Sequence, residues 1–200
     1  TLLGLDFDNT LVHYDKLFHE LALEKGLIGE SIAPNKTAIR DFLRRQGKDE
    51  QFTELQGEVY GLRILEAEPA EGMLQALTIL HQKGIRMLLV SHKTRKPYKG
   101  PEYDLHKAAW AWLEKHRFLE ISGLNWSSKN IFFEESKSEK LNRIKICKCS
   151  HYVDDLPEIL EELPESMIKI LYDTSAKKTC DANIIHMKSW STLQSIMTSE

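Results

Sequence analysis

Asp6 and Asp8, two residues apart in Asp6-Phe7-Asp8-Asn9-Thr10-Leu11, stand directly behind the apolar run Leu2-Leu3-Gly4-Leu5. A run of this kind reads as a buried parallel strand. Carboxylates at the C-terminal end of such a strand reach the crevice in which open α/β sheets hold their ligands. Two acids this close do not both stay ionised unless a cation lies between them or one keeps a proton. The chemistry they suit is metal-assisted phosphoryl transfer, with one Asp as nucleophile and the other as acid and base. The pair alone also fits a plain strand end followed by an Asp/Asn turn, so the remainder of the chain has to decide.

Three later strand ends carry polar groups as well. Ile85 to Val90 runs into Ser91, Ile131 to Phe133 is followed by Lys137, and Tyr152-Val153 runs into Asp154-Asp155. Each has an ordinary explanation: Ser91 as a helix N-cap, Lys137 as a solvated lysine, and the Asp pair as caps for a segment opening at Leu156-Pro157. Lys140 rivals Lys137. Lys137 is preferred because it follows the strand more closely, which leaves Lys140 inside the next helix. Four strands in succession, each delivering a charged or polar group to one sheet edge, form an ordered set.

The elements that position these groups can be read from periodicity. Asp15 to Lys25, Asn35 to Gln46 and Glu50 to about Glu66 place apolar residues at three- and four-residue spacing, with Gly26 and Gly47 as stops. They predict a block of small helices between the first strand and Pro69. Alternation of helix and strand then resumes: helix Gly72 to Lys83, the Ile85 strand, a helix from Leu105 to Lys115 capped by Asp104, the Ile131 strand, and a helix from Ser138 to Ile146. The Tyr152 strand and strands at Ile168 to Tyr172 and Ile184 to His186 follow, with a short closing helix from Ser191. The pattern predicts a three-layer α/β/α Rossmann-like parallel sheet, residues 1-14 and 69-200, with a small all-helical cap, 15-68, inserted after the first strand.

Composition narrows the function classes. With 200 residues, 42% hydrophobic and 28% charged, the chain has the make-up of a soluble globular domain with one insertion. A formal net charge of −3 gives no reason to expect a nucleic-acid partner. No apolar run approaches the roughly 20 residues of a membrane span, and Leu2 to Leu5 is too short for a signal-peptide core. Three cysteines, Cys147, Cys149 and Cys180, are an odd count without a secretion signal and predict reduced thiols in a cytoplasmic protein. Cys147, Cys149 and His151 could be drawn as a metal site, but thiols packed beside a buried strand account for them better.

The ordered set resembles the haloacid dehalogenase superfamily of phosphatases, whose D-x-D-x-T, Ser, Lys and D-D motifs it matches from Leu2 to about Tyr172. The resemblance places the helical block where that superfamily carries its first type of cap. It implies Asp6 as the nucleophile that forms an aspartyl-phosphate, and Asp8 as the general acid and base. It implies a Mg²⁺ ion held by Asp6, Asp154 and the main-chain carbonyl of Asp8, with Asp155 a ligand through water or an orienting neighbour. Ser91 would bind a phosphoryl oxygen, Lys137 would neutralise charge on the phosphoryl group and on Asp6, and the backbone N–H of His92 would lie beside the phosphoryl oxygens. The second acid, which the dehalogenases of the superfamily lack, favours phosphate esters.

The resemblance also implies a small phosphorylated metabolite as substrate, since a cap closing over the site excludes water and macromolecules. His13, just after the first motif, is a candidate contact or a hinge residue. Lys93, Arg95, Lys96 and Lys99 with Tyr98 and Tyr103 form a basic loop that either holds a second anionic group or is simply solvated. A phosphotransferase of the same fold and a non-catalytic phosphate-binding module remain alternatives. Trp110, Trp112, Trp126 and Trp190 read as packing residues.

Overall fold

Leu2-Leu3-Gly4-Leu5 does form the first strand, β1, and it lies in the middle of the sheet. The computed structural model describes residues 1–198; Ser199 and Glu200, the last two positions of the range expected for the core, lie outside the described residues. Along the chain run β1 (Leu2–Leu5), β2 (Val12–His13), α1 (Asp15–Glu24), α2 (Lys36–Arg45), α3 (Asp49–Tyr60), β3 (Glu68–Pro69), α4 (Met73–Gln82), β4 (Arg86–His92) and α5 (Leu105–Lys115). There follow β5 (Ile131–Glu134), α6 (Lys137–Ile146), β6 (His151–Asp154), α7 (Pro157–Leu160), β7 (Ile168–Tyr172), β8 (Ile184–Met187) and α8 (Leu193–Thr198). Among the described residues no helix is long and apolar enough to cross a membrane.

The chain divides into two units. One comprises Thr1–Val12, Pro69–Lys93 and the chain from Arg117 onward; the other comprises His13–Glu68 and Thr94–His116. The first unit holds a six-stranded sheet in the order β5-β4-β1-β6-β7-β8, with every neighbouring pair parallel. Strands β4 and β6 therefore flank β1, and the residues that follow the three strands emerge side by side. Both faces of the sheet are covered, which is why Leu3, Leu5, Leu89, Val90, Val153, Ile170 and Leu171 are buried without alternation. On one face Leu88, Val90, Tyr152 and Leu171 pack with Leu141 and Ile144 of α6, Ile159 and Leu160 of α7, and Cys149. The three cysteines are free thiols, and burial pushes the Cys149 thiol up to about 12.

One close approach governs the sheet centre. A Cβ at Gly4 would stand 2.5 Å from Cδ2 of Tyr152 and 2.9 Å from Sγ of Cys149, so only glycine leaves room for the ring against β1. The Tyr152 hydroxyl donates to the main-chain carbonyl of Val90 at 2.5 Å. A side chain of β6 thereby crosses β1 and ties to β4.

The second unit contains α1, α2 and α3, whose apolar spacing predicted them: Leu17, Phe18, Leu21, Ile39, Leu43, Phe52, Leu55 and Val59 are all buried. Helix α3 stops at Tyr60, and the remainder of the expected helix is a short 3-10 turn over Ile64–Glu66. Thr94–His116, placed by the sequence reading in the core range, groups instead with these helices. The packing explains it. Trp112 donates its indole N–H to the Ala67 carbonyl at 2.9 Å, and Tyr103 lies against Gly61 so closely that a Cβ there would meet its Cβ at 2.6 Å. Lys99 pairs with Glu50 at 2.5 Å.

That pairing extends along the basic loop. Arg95 lies 3.5 Å from Asp104 and Lys96 lies 2.7 Å from Glu102, so three of the loop's cations have carboxylate partners within their own unit. All three pairs are partly or largely exposed, which agrees with the solvated reading of the loop.

Candidate active site

Asp6 follows β1 and is buried, 4% exposed. Its Oδ1 accepts from the Ser91 hydroxyl at 3.0 Å and from the Lys140 ammonium at 2.7 Å, and its Oδ2 accepts from the Thr10 hydroxyl at 3.2 Å. Thr10 reaches back across a tight turn in which the N–H groups of Thr10, Leu11 and Val12 all point to the Phe7 carbonyl. Asn9 takes the left-handed conformation, φ 59°, that this turn demands, and Asn tolerates it better than most residues. Ser91 is buried within the last two residues of β4, one position inside the strand and not beyond it.

Asp154 ends β6 and is fully buried; its Oδ2 accepts from Lys140 at 2.6 Å and its Oδ1 from the Leu156 N–H at 2.9 Å. Asp155 comes next, and the Lys178 ammonium lies 3.4 Å from its Oδ2. Asp6, Asp154 and Asp155 each present an oxygen within 4.8 Å of the others. Three buried carboxylates so close form a hard-oxygen donor set, which fits a cation of the Mg²⁺ or Ca²⁺ kind. Asp8 is apart from this trio: both its carboxylate oxygens accept from the Lys93 ammonium at 2.9 Å.

The structure corrects the choice of lysine. Lys137 is 41% exposed and pairs with Glu162 at 2.6 Å, away from the acids, while Lys140 is 2% exposed and joins Asp6 to Asp154. The cause is the start of α6. Ser136 is its N-cap, accepting from the Glu139 N–H and donating to the Glu139 carboxylate, so Lys137 is the first helical residue and faces outward. Lys140, Leu141 and Ile144 form the buried stripe. The capping box Ser136-x-x-Glu139 was the signal in the sequence that pointed to this register.

Lys93, which the sequence places in the basic loop, also reaches this group through Asp8. It is 4% exposed overall, with its ammonium 5.4 Å above the Phe7 ring. Its signal was strand alternation continuing past the strand: Ser91 inward, His92 outward, Lys93 inward. The His92 side chain is exposed, so what His92 could offer beside Ser91 is its backbone N–H, and His13 belongs to the second unit.

Burial and mutual repulsion dominate the electrostatics. Burial, reinforced by Asp6 and Asp155, raises Asp154 to about 8 in spite of Lys140. Burial and then Asp6 raise Asp155 to about 6, opposed by Lys178. Burial works against the Lys140 ammonium, but Asp154 and Asp6 outweigh it and hold Lys140 well above its usual range. Four carboxylates face three ammonium groups, a shortfall of positive charge that protons or a cation must make up.

A stability prediction follows with its sign. A carboxyl whose folded-state value lies above the ordinary one binds more protons when folded, so stability falls as pH rises from the ordinary carboxylate range and levels off above the folded-state value. Between pH 7 and about 8 the metal-free protein should lose up to about 1 kcal/mol per pH unit through Asp154. Saturating MgCl2 should flatten that slope. Thermal melts at pH 7.0, 7.5 and 8.0 with EDTA or MgCl2 read this; a metal-free melting temperature that stays level or climbs across the range would contradict it.

No protein-family model matches the chain, and no curated protein does. Solved structures do match over nearly its whole length. A haloacid dehalogenase-like family hydrolase from Xanthomonas campestris is 8% identical, with a TM-score of 0.56 over 98% of this chain and 94% of that one. This is the haloacid dehalogenase-like fold. A HAD-superfamily hydrolase from Ehrlichia chaffeensis gives a TM-score of 0.52 at 14% identity over 98% of this chain and 94% of its own. A phosphoserine phosphohydrolase-like protein from Francisella tularensis gives 0.51 at 14% identity over 98% and 99%. At such identities the likeness establishes the haloacid dehalogenase-like architecture, and the chemistry has to be argued from the site.

Proposed function

We propose that this haloacid dehalogenase-like chain is a Mg²⁺-dependent phosphatase that acts on a small phosphorylated metabolite through an aspartyl-phosphate on Asp6. The observation that carries the reading is the setting of Asp6: a buried carboxylate held by Ser91, Thr10 and Lys140, beside a pair of acids able to share a cation.

Asp6, Asp154, Asp155 and the main-chain carbonyl of Asp8 would hold the ion. When bound, it screens the charge between carboxylate and phosphoryl group and so makes attack by an anion on an anion feasible. Oδ2 of Asp6, engaged by one hydroxyl, attacks phosphorus while the bond to the ester oxygen breaks. Asp8, which can take up a proton from solvent once an incoming phosphoryl group draws the Lys93 ammonium from it, delivers that proton to the departing alkoxide, then takes one from the water that attacks the acyl-phosphate, which releases inorganic phosphate and restores Asp6. Ser91 and Lys140 donate to phosphoryl oxygens, and Lys140 keeps Asp6 and Asp154 from repelling each other. Lys93 fixes the Asp8 carboxylate by both oxygens, and an incoming phosphoryl group competes for the same ammonium.

The small size of the substrate rests on the helical insertion, which is of the type that closes over small molecules in phosphatases of this fold. The test is phosphate release from a panel of phosphorylated sugars, nucleotides and short acids, with MgCl2 and with EDTA. Release that requires Mg²⁺ is expected from at least one class. Equal release with EDTA would remove the metal from the reading, and no release from any compound would favour transfer to an acceptor or a binding role.

A further inference from the structure

The second acid of the Asp154-Asp155 pair has a support of its own, built from a different loop. Lys140 serves Asp6 and Asp154. The ammonium at Asp155 comes instead from Lys178, in the connection between β7 and β8. The Lys178 ammonium donates to the main-chain carbonyl of Asp155 and lies 3.4 Å from its Oδ2. The loop is shaped to deliver it. Asp173, buried at the end of β7, accepts from the Ser175 N–H at 3.1 Å, the Ser175 hydroxyl at 2.7 Å and the Lys178 N–H at 2.8 Å. A carboxylate with three donors closes the turn, and Lys178 leaves it aimed at Asp155. Since β7 adjoins β6, with Leu171 opposite Asp154, the loop emerges beside the acids it serves.

We propose that Lys178 is a positioning residue for the metal group, acting through Asp155: it commits one carboxylate oxygen and the adjacent carbonyl, and so fixes the direction in which Asp155 presents its other oxygen. This rests on the reading of Asp6, Asp154 and Asp155 as a Mg²⁺ site. A buried carboxylate with no such partner could rotate, and each rotation away from the ion lowers affinity. Partners that orient metal ligands are typically worth about 10- to 100-fold in affinity. Losing the Lys178 charge would by itself favour a cation, so the two consequences have opposite sign and the experiment separates them.

Isothermal titration of the metal-free full chain with MgCl2 alone measures this directly, alongside thermal melts of each variant. Lys178→Met should weaken Mg²⁺ binding about 10-fold or more, and Lys178→Arg should recover part of the loss. Lys177→Met, one residue away and exposed, should bind as wild type. Phosphate release by Lys178→Met should return as Mg²⁺ is raised, since the residue touches no reacting atom. Asp173→Asn, which loosens the turn while keeping the ammonium, should weaken binding in the same direction and serves if Lys178→Met does not fold. Wild-type binding with Lys178→Met equal or tighter would overturn the assignment alone. A wild-type chain that binds no Mg²⁺ would overturn the metal reading and this assignment together.

Discussion

Asp6→Asn should abolish phosphate release, by at least about 10³-fold, without unfolding the protein. The amide has the shape of the carboxylate but no anionic oxygen to attack phosphorus, and losses of this order or larger accompany removal of a nucleophile. The stability expectation runs the other way. Asp6 is one of three acids whose charges repel at short range, so exchanging it for a neutral amide relieves Asp154 and Asp155. The melting temperature of metal-free Asp6→Asn should therefore equal or exceed that of wild type near pH 8, while the gain on adding MgCl2 shrinks. Turnover that persists in Asp6→Asn would rule out the aspartyl-phosphate. A collapse in melting temperature would mean that the carboxylate is chiefly a structural acceptor for Ser91, Thr10 and Lys140.

Lys140→Met and Lys137→Met should differ as sharply as any pair of lysine substitutions in the chain. Lys140 is buried and bonded to two buried acids. Removing one partner of a buried ionic group leaves the others uncompensated and typically costs about 3–5 kcal/mol. Activity should fall by about 10²-fold or more even where Mg²⁺ restores the fold, because the donor proposed for the phosphoryl oxygens is gone. Lys137 and Glu162 are both largely exposed, and such a pair contributes between about 0 and 1 kcal/mol. Lys137→Met should keep phosphate release within about twofold of wild type. Melts with MgCl2 and with EDTA, read beside phosphate release, separate the two losses. An inactive Lys137→Met with an active Lys140→Met would reverse the assignment of the lysine.

These two lysines also show what could and could not be read from the chain beforehand. Asp6 and Asp154 were legible because each ends an apolar run, and a buried parallel strand delivers its next residue to the sheet edge whatever the rest of the fold does. Lys140 lies beyond a strand, at the start of a helix, where a shift of one residue turns the side chain by about 100°. Distance from the strand was the wrong ruler there; the cap at Ser136 was the right one. Lys93 was hidden by its company, since Arg95, Lys96 and Lys99 make it look like one more loop cation, and only the alternation carried on from β4 sets it apart. The passage from Thr94 to His116 shows a different limit. Its helix was legible from spacing, but its attachment to the helical insertion depends on Trp112 meeting Ala67 and Tyr103 meeting Gly61. Such contacts between distant residues leave no periodic trace. The order of the six strands is non-local in the same way.

The tyrosine that crosses the sheet has a consequence for how the site keeps its dimensions. Asp6, Ser91 and Asp154 belong to three adjoining strands, and parallel strands can slide or splay where nothing but ladder bonds joins them. Tyr152 works as a crosspiece beneath the edge that carries these residues: rooted in β6, pressed through the gap at Gly4 and fastened to Val90, it spans all three. The separation of Asp6, Ser91 and Asp154 is thereby gauged from below. The missing side chain at position 4 thus helps to set the spacing of the candidate site as much as the acids themselves do.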